Sequence, residues 1–284
     1  MEDAKVIKGE NNCKLLSSGD IIPTGFTELD QVLGGGLGVG TFACIHGTSG
    51  QDLSAFAAYV AMRMSTRCEV SVVSLRLCAE GFFDLMYGSL QEGSDRPSCM
   101  PSIAEPVPRD TVAEHRRRND GKMAGLDVVD IVEAAGSCSD VVVVDGAWES
   151  CYWKCPYYEF DNDGELEELF EELCRSVGLT VVATRREWWM PFRDLRSPSR
   201  KFGYDFYLDR SMDEVEADVV GRPELATATL LAVDRDEKLW HPPVSVGFID
   251  GNFRDCFDCV DADDWRSLPV DHFGIVEGRW RWMV

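Results

Sequence analysis

Val141-Val142-Val143-Val144-Asp145 is an unbroken run of four valines closed by an acid. A strand with one wetted face alternates apolar and polar residues, so a strand with no polar position until its last residue has both faces covered. Such strands lie in the middle of a parallel sheet with helices packed on either side. That places the chain in the α/β class.

The rest of the chain fits that class. Phe42-Ala43-Cys44-Ile45 predicts a second buried strand, the Gly-containing stretch from Gly47 to Asp52 a turn, and Ser54 to Met64 a helix by its apolar spacing. Strand, turn and helix recur at Val70 to Leu75 and Ala79 to Leu90, where Phe82, Phe83, Met86 and Leu90 make an apolar stripe. Leu126 to Ala135 predicts a helix leading into the valine strand. An acidic amphipathic helix with Leu166, Leu169, Phe170 and Leu173 on one face and a solvated charged face precedes a strand over Leu179 to Ala183. Glu216 to Val220, Thr227 to Val233 and Val244 to Ile249 are joined by turns and not by helices, so antiparallel strands are expected there. The polar, Pro-rich stretch 91–123 and the aromatic stretch 148–164 are expected as irregular surface insertions. Upstream, Thr27-Glu28-Leu29-Asp30 has the form of a capping box at the start of a short helix, ended by Gly34-Gly35-Gly36.

With 284 residues, 45% of them apolar, the chain can bury a core without disulfides or metal, which excludes disorder for most of it. A formal charge of −22 repels phosphate backbones and anionic lipid leaflets, so general coating of nucleic acid is disfavoured. No apolar stretch nears the roughly 20 residues of a membrane helix, and the polar leader, residues 1–20, lacks the apolar core of a signal peptide. A cytoplasmic protein is expected. The eleven cysteines are scattered, some within apolar runs (Cys44, Cys174), which is unlike a secreted disulfide framework.

The turn after the first buried strand carries the most chemical information. A phosphate loop uses backbone N–H groups of a Gly-rich turn, a Lys that reaches the β and γ phosphates, and a Ser or Thr whose hydroxyl holds magnesium. Here the turn is Gly47-Thr48-Ser49-Gly50-Gln51-Asp52-Leu53-Ser54. Gly47, Gly50 and Ser54 remain in place, but Asp52 stands where the pattern asks for Gly and Leu53 where it asks for Lys. An acid about 4 Å from a phosphate, at an effective dielectric near 20, repels it by about 4 kcal/mol.

The run IPTGFTELDQVLGGGL, the strand and turn after it, SVVSLRLCAEGFFDLMYGSL, VVVVDG, ELFEELCRSVGLTVVATRRE and VEADVV, taken in that order, resemble the RecA-like C-terminal motor domain of DnaB-type replicative helicases, with a GGGL element similar to the RadA and KaiC group. The resemblance covers roughly residues 21 to 258. It implies a RecA-like P-loop NTPase fold: a mostly parallel central sheet flanked by helices, with antiparallel strands at its C-terminal end. It also implies a domain over 21–260 between the polar leader and a tail, 261–284, that is acidic and then aromatic. The helical domain that precedes this motor in the helicases is not expected in the short leader.

What the resemblance implies for the site is mostly loss. The family's phosphate-loop Lys falls on Leu53, and its Ser/Thr falls on Ser54. The Glu that activates water falls on Arg76, in Ser74-Leu75-Arg76-Leu77. The magnesium-binding acid matches Asp145, and the family's Gln after the next strand aligns near Arg186. Its Lys-x-Arg, which reaches a neighbouring subunit's nucleotide, falls near Asp234-Arg235-Asp236. Phosphoryl transfer rests on positioning and charge neutralisation, so no catalytic residue is expected. Gly47, Gly50, Asp52, Ser54 and Asp145 are then a vestigial nucleotide site, and no cofactor is expected.

Between residues 185 and 201, Arg185, Arg186, Arg193, Arg196, Arg200 and Lys201 stand against Glu187 and Asp194, with Trp188, Trp189 and Phe192 interleaved. Two readings are open. Single-stranded nucleic acid takes basic side chains and aromatic faces, although the net charge disfavours it. Alternatively the arginines pair with the protein's own carboxylates and the tryptophans pack or meet a protein partner. Cys151-x-x-x-Cys155 and Cys256-x-x-Cys259 have zinc-like spacings, but among eleven cysteines these are expected by accident, and no metal residue is assigned. His46, His115, His241 and His272 show no metal or nucleophile pattern. The apolar and basic tail, Trp280 to Val284, is expected to fold back on the sheet in preference to binding another chain.

The function expected is therefore a binding or assembly protein on a helicase-motor scaffold that has lost ATP hydrolysis, with protein partners that are replication-associated or further copies of itself. The alternative is a divergent working ATPase or helicase using ATP and magnesium and recruiting a lysine from elsewhere, such as Lys154 or Lys201.

Overall fold

In the computed structural model the described residues are 16–17, 19–48, 50–90, 100–104, 125–148, 163–187, 203–209, 227–234, 239–240, 244–249, 252–255, 273–276 and 279–282. The strands are β1 (Ile21–Ile22), β2 (Leu37–Gly38), β3 (Phe42–Gly47), β4 (Val70–Ser74), β5 (Ser102–Ala104), β6 (Val141–Asp145), β7 (Thr180–Arg186), β8 (Tyr204–Asp209), β9 (Thr227–Asp234), β10 (Leu239–Trp240), β11 (Val244–Ile249), β12 (Asn252–Arg254), β13 (Phe273–Val276) and β14 (Arg279–Trp282). The helices are α1 (Thr27–Val32), α2 (Gly50–Met64), α3 (Ala79–Gly88), α4 (Gly125–Gly136) and α5 (Asp163–Val177).

The main sheet runs β12-β11-β9-β8-β3-β7-β6-β4-β5, with β10 paired to β9. From β8 to β5 every pairing is parallel, and from β8 outward through β9, β11 and β12 every pairing is antiparallel. This is the parallel sheet with antiparallel C-terminal strands expected from the sequence. The valine strand β6 lies between β4 and β7 and is buried along its whole length.

Residue alternation splits the core into two layers. Ala43 and Ile45, Val141 and Val143, and Val182 face α2 and α3, where Phe56, Met62, Phe82 and Met86 complete the layer. Phe42 and Cys44, Val142 and Val144, and Val181 and Ala183 face α4 and α5, against Val128, Val132, Leu166, Phe170 and Leu173. From Leu53 to Met62 every residue of α2 is buried. Its alanines (Ala55, Ala57, Ala58, Ala61) let the helix lie close to the sheet.

Several expectations are corrected. The capping box at Thr27 does not form: α1 has Phe26 at its N-cap with no side-chain cap. The Thr27 backbone N–H donates instead to Asp255 Oδ2, 3.0 Å away just beyond β12, and the Thr27 hydroxyl donates to the same oxygen. Asp30 reaches back past the cap, accepting from Thr24 N and Thr24 Oγ1, both at 2.7 Å, and from Gly25 N at 3.2 Å. The opening motif is thereby folded onto α2, with Phe26 stacked on Phe56 and Tyr59 and the Tyr59 hydroxyl donating to Gly25 O. Gly36 sits at φ +134° with its Cα face against the backbone of Ile22, where a Cβ would come within 2.2 Å of the carbonyl oxygen.

The turn after β3 is shorter than expected, because α2 begins at Gly50 and takes Asp52 and Leu53 into its first turn. Phe83, expected in the apolar stripe of α3, is exposed and meets Tyr87 instead. The stretch 91–123 is not wholly irregular: β5 pairs with β4 at the sheet edge, a strand too short to show a period. The charged face of α5 is not fully solvated, since Glu167 and Glu171 are buried. The whole of β8 was unforeseen. The strand expected at 216–220 lies outside the described residues, as does most of 148–164. Chain-terminal β14 pairs antiparallel with β13 in a separate two-stranded sheet.

Candidate functional site

Parallel sheets gather function at the carboxyl ends of their strands. Here β3, β4, β6 and β7 deliver polar side chains to that edge, and alternation sends them to two opposite faces.

On the α2 face, register sets the arrangement. Ser74 at the end of β4 stands beside Asp145 at the end of β6, and Leu75 N donates to Asp145 O at 2.8 Å. The chain then turns so that Arg76 passes over the end of β6. Its Nη1 donates to Ser54 Oγ at 3.0 Å and also to Asp145 Oδ1, with which it forms an ion pair. Ser54 Oγ donates to Asp145 Oδ2 at 2.7 Å. Thr184, from β7, donates to Asp145 Oδ1 at 2.8 Å and accepts from Gly146 N at 3.0 Å. Asp145 has no exposed surface and the Arg76 side chain retains 16%. The carboxylate is thus neutralised by one guanidinium and hydrogen-bonded by two hydroxyls, the full set that a buried charge needs.

The turn itself is filled from within. Leu53 is completely buried, and its side chain lies against Gly47 so closely that a Cβ there would stand 3.0 Å from Leu53 Cδ2. Asp52 lies in the first turn of α2, where an acid complements the positive end of the helix dipole that an anion would otherwise complement. Arg186 Nε donates to Thr48 O at 3.2 Å, and Glu187 N to Gly47 O at 2.8 Å, tying the turn to β7. The structure therefore brings together Gly47, Leu53, Ser54, Arg76, Asp145 and Arg186, all singled out from the sequence, and adds Thr184, which no motif marked.

The opposite face of the same edge holds a second buried polar group that sequence reasoning missed. His46 on β3 is nearly buried, with Nδ1 2.9 Å from Glu187 Oε1 and Nε2 3.0 Å from Asp205 Oδ1. Its ring stacks on Tyr207 at 4.7 Å. Cys44, Asp205's register partner, is fully buried beside it. Although burial opposes a charged imidazole, the Cys44 sulfur and the Asp205 and Glu187 carboxylates together hold the His46 pKa well above its usual value. Glu187 is lowered despite its own burial, by the hydrogen bond from His46 and the charge of Arg185. Burial pushes the Cys44 thiol up.

Arg185 belongs to this inner network. Its Nη1 is 2.7 Å from Glu167 Oε1 and its Nε 2.9 Å from Glu187 Oε1, with the guanidinium over the Trp148 ring at 5.6 Å. It thus pairs with the protein's own carboxylates, on the face opposite Arg186. Trp188, Trp189, Arg193, Arg196, Arg200 and Lys201 lie outside the described residues, as do Lys154, Arg235 and the cysteines at 151, 155, 256 and 259. No helix among the described residues is long and apolar enough to cross a membrane.

No family model matches this sequence, and no curated protein matches it. Solved structures do. A DnaB-like replicative helicase, solved with its interactions with primase, superposes with a TM-score of 0.50 at 16% identity over 84% of this chain and 64% of its own. The chain has the RecA-like fold of DnaB-like helicase ATPase domains. The ATPase domain of G40P is similar with a TM-score of 0.49, again at 16% identity, over 83% of this chain and 91% of that one.

Proposed function

We propose that this chain is a non-catalytic binding or assembly protein on a RecA-like scaffold, its nucleotide site closed by its own side chains. The observation that carries the reading is the Arg76 guanidinium seated on both Asp145 and Ser54. A phosphate loop leaves its Ser/Thr hydroxyl and its acid to magnesium. Here both are bound to an internal cation, and a divalent ion beside a guanidinium would face like-charge repulsion. The donor set therefore does not fit a magnesium nucleotide. Leu53 adds to this by offering an aliphatic branch where a triphosphate needs an ammonium. Among partners, proteins of DNA replication are the first to test, because the similar helicase was solved with its interactions with primase.

The experiment is equilibrium titration of the full chain with a fluorescent ATP analogue and magnesium, together with a phosphate-release assay. No saturable binding and no turnover are expected. Saturable magnesium-dependent binding, with hydrolysis abolished by Asp145→Asn, would overturn the reading in favour of a divergent ATPase. Affinity capture with primase and helicase as defined baits, against an unrelated acidic protein, tests the partner class.

A further inference from the structure

We propose that Cys44, His46 and Asp205 form a buried site for a single zinc ion, on the sheet face opposite the closed turn. The proposal does not depend on the nucleotide reading. One ligand atom from each of the three residues lies within 4.8 Å of the other two, and all three residues are buried. Zinc binds thiolate sulfur at about 2.3 Å and imidazole nitrogen and carboxylate oxygen at about 2.0–2.2 Å, so tetrahedral ligands stand about 3.3–3.7 Å apart. The cluster is close to that size before any ion draws it in, with His46 Nε2 and Asp205 Oδ1 already 3.0 Å apart.

The placement follows from strand register. Cys44 and Asp205 are direct partners across parallel β3 and β8, and His46 is two residues further along β3 on the same face. Three donors of three kinds are thereby fixed on rigid central strands. Around them is the support that metal-binding histidines have: the second ring nitrogen, Nδ1, is held by the Glu187 carboxylate at 2.9 Å, and Glu187 is paired with Arg185. The Tyr207 ring fixes the imidazole plane. A thiolate, a carboxylate and a neutral imidazole around a dication sum to zero charge, which burial favours. A thiolate with an imidazole selects zinc over magnesium or calcium.

The test uses the full chain expressed in zinc-supplemented medium, dialysed, and analysed by mass spectrometry for metals, then stripped and reloaded with cobalt as a spectroscopic probe. About one zinc per chain is expected, together with the visible bands of tetrahedral cobalt and a charge-transfer band whose intensity corresponds to one thiolate. Cys44→Ser should abolish that band, Asp205→Asn should weaken cobalt binding at least tenfold, and Glu187→Gln should weaken it about 10–100-fold. Cys174→Ser, a buried thiol elsewhere in the same layer, should change nothing. Folded wild-type protein with no stoichiometric metal overturns the proposal. So does a cobalt band of two or more thiolates, or zinc that survives both Cys44→Ser and Asp205→Asn, since either puts the ion on other cysteines. The wild-type spectrum decides even where a variant fails to fold.

Discussion

Replacing Arg76 by methionine keeps the stem and removes the cation from Asp145. The carboxylate has no exposed surface, so it cannot recover a hydration shell where it stands. Removing one partner of a buried pair costs about 3–5 kcal/mol. Ser54 and Thr184 still donate to the two carboxylate oxygens, which argues for the lower end, about 3 kcal/mol. For a protein of 284 residues, whose unfolding entropy is about 0.6 kcal/mol/K, that corresponds to a fall in Tm of about 5 °C. Urea unfolding at neutral pH measures it directly. Adding Asp145→Asn removes the charge that lost its partner, so the double variant should regain most of the loss, with a coupling of about 2 kcal/mol or more in the double-mutant cycle. Truncation to Arg76→Ala, which removes the stem as well, opens room for a hydrated divalent ion beside the acid and the hydroxyl, and magnesium at ten times its Kd should raise the stability of that variant by about 1.4 kcal/mol and leave wild type unchanged. A loss below about 1 kcal/mol, or strict additivity of the two substitutions, would refute the idea that the guanidinium stands in for a metal.

Gly47→Ala should destabilise by about 1–3 kcal/mol, because its Cβ meets Leu53 at 3.0 Å, and Leu53→Ala should relieve the added cost; chemical denaturation of the four proteins of the cycle checks both. Burial raises the Asp30 pKa above 3.8, so the folded state binds that proton more tightly than the unfolded one. The stability contributed by its protonation is full below pH 3.8 and is lost as pH rises through the folded value, and Asp30→Asn should flatten that component in a pH series of unfolding midpoints. Among the described cysteines, Cys78 and Cys138 should be alkylated in the native protein, while Cys174, buried and with its pKa pushed up to about 12, should react only on unfolding; peptide mapping by mass spectrometry reads this out.

The parallel centre of the fold was legible because its strands are apolar on both faces: four valines before Asp145, and Phe42 to Ile45 before the turn, admit no half-exposed alternative. β8 was not, because Tyr204-Asp205-Phe206-Tyr207-Leu208 sets a buried acid inside an apolar run, and the acid makes sense only once His46 is known to face it. The capping box failed for a related reason. Local spacing predicted a contact that Asp255, 228 residues away, makes instead. At the candidate site the sequence marked Arg76 as a cation in place of a base, yet its reach to Asp145 depends on β4 and β6 being register partners at Ser74 and Asp145. Glu167 looked like a surface charge because nothing in the sequence of α5 announces Arg185 on the strand beneath it.

β3 carries both polar groups, since His46 and Gly47 are neighbours that point to opposite sides of one strand. The sealed turn and the Cys44–His46–Asp205 cluster stand back to back across a single backbone thickness. The amides of residues 44–48 belong to the one strand that both faces share, so hydrogen exchange there samples the backbone behind the turn and behind the cluster in a single measurement.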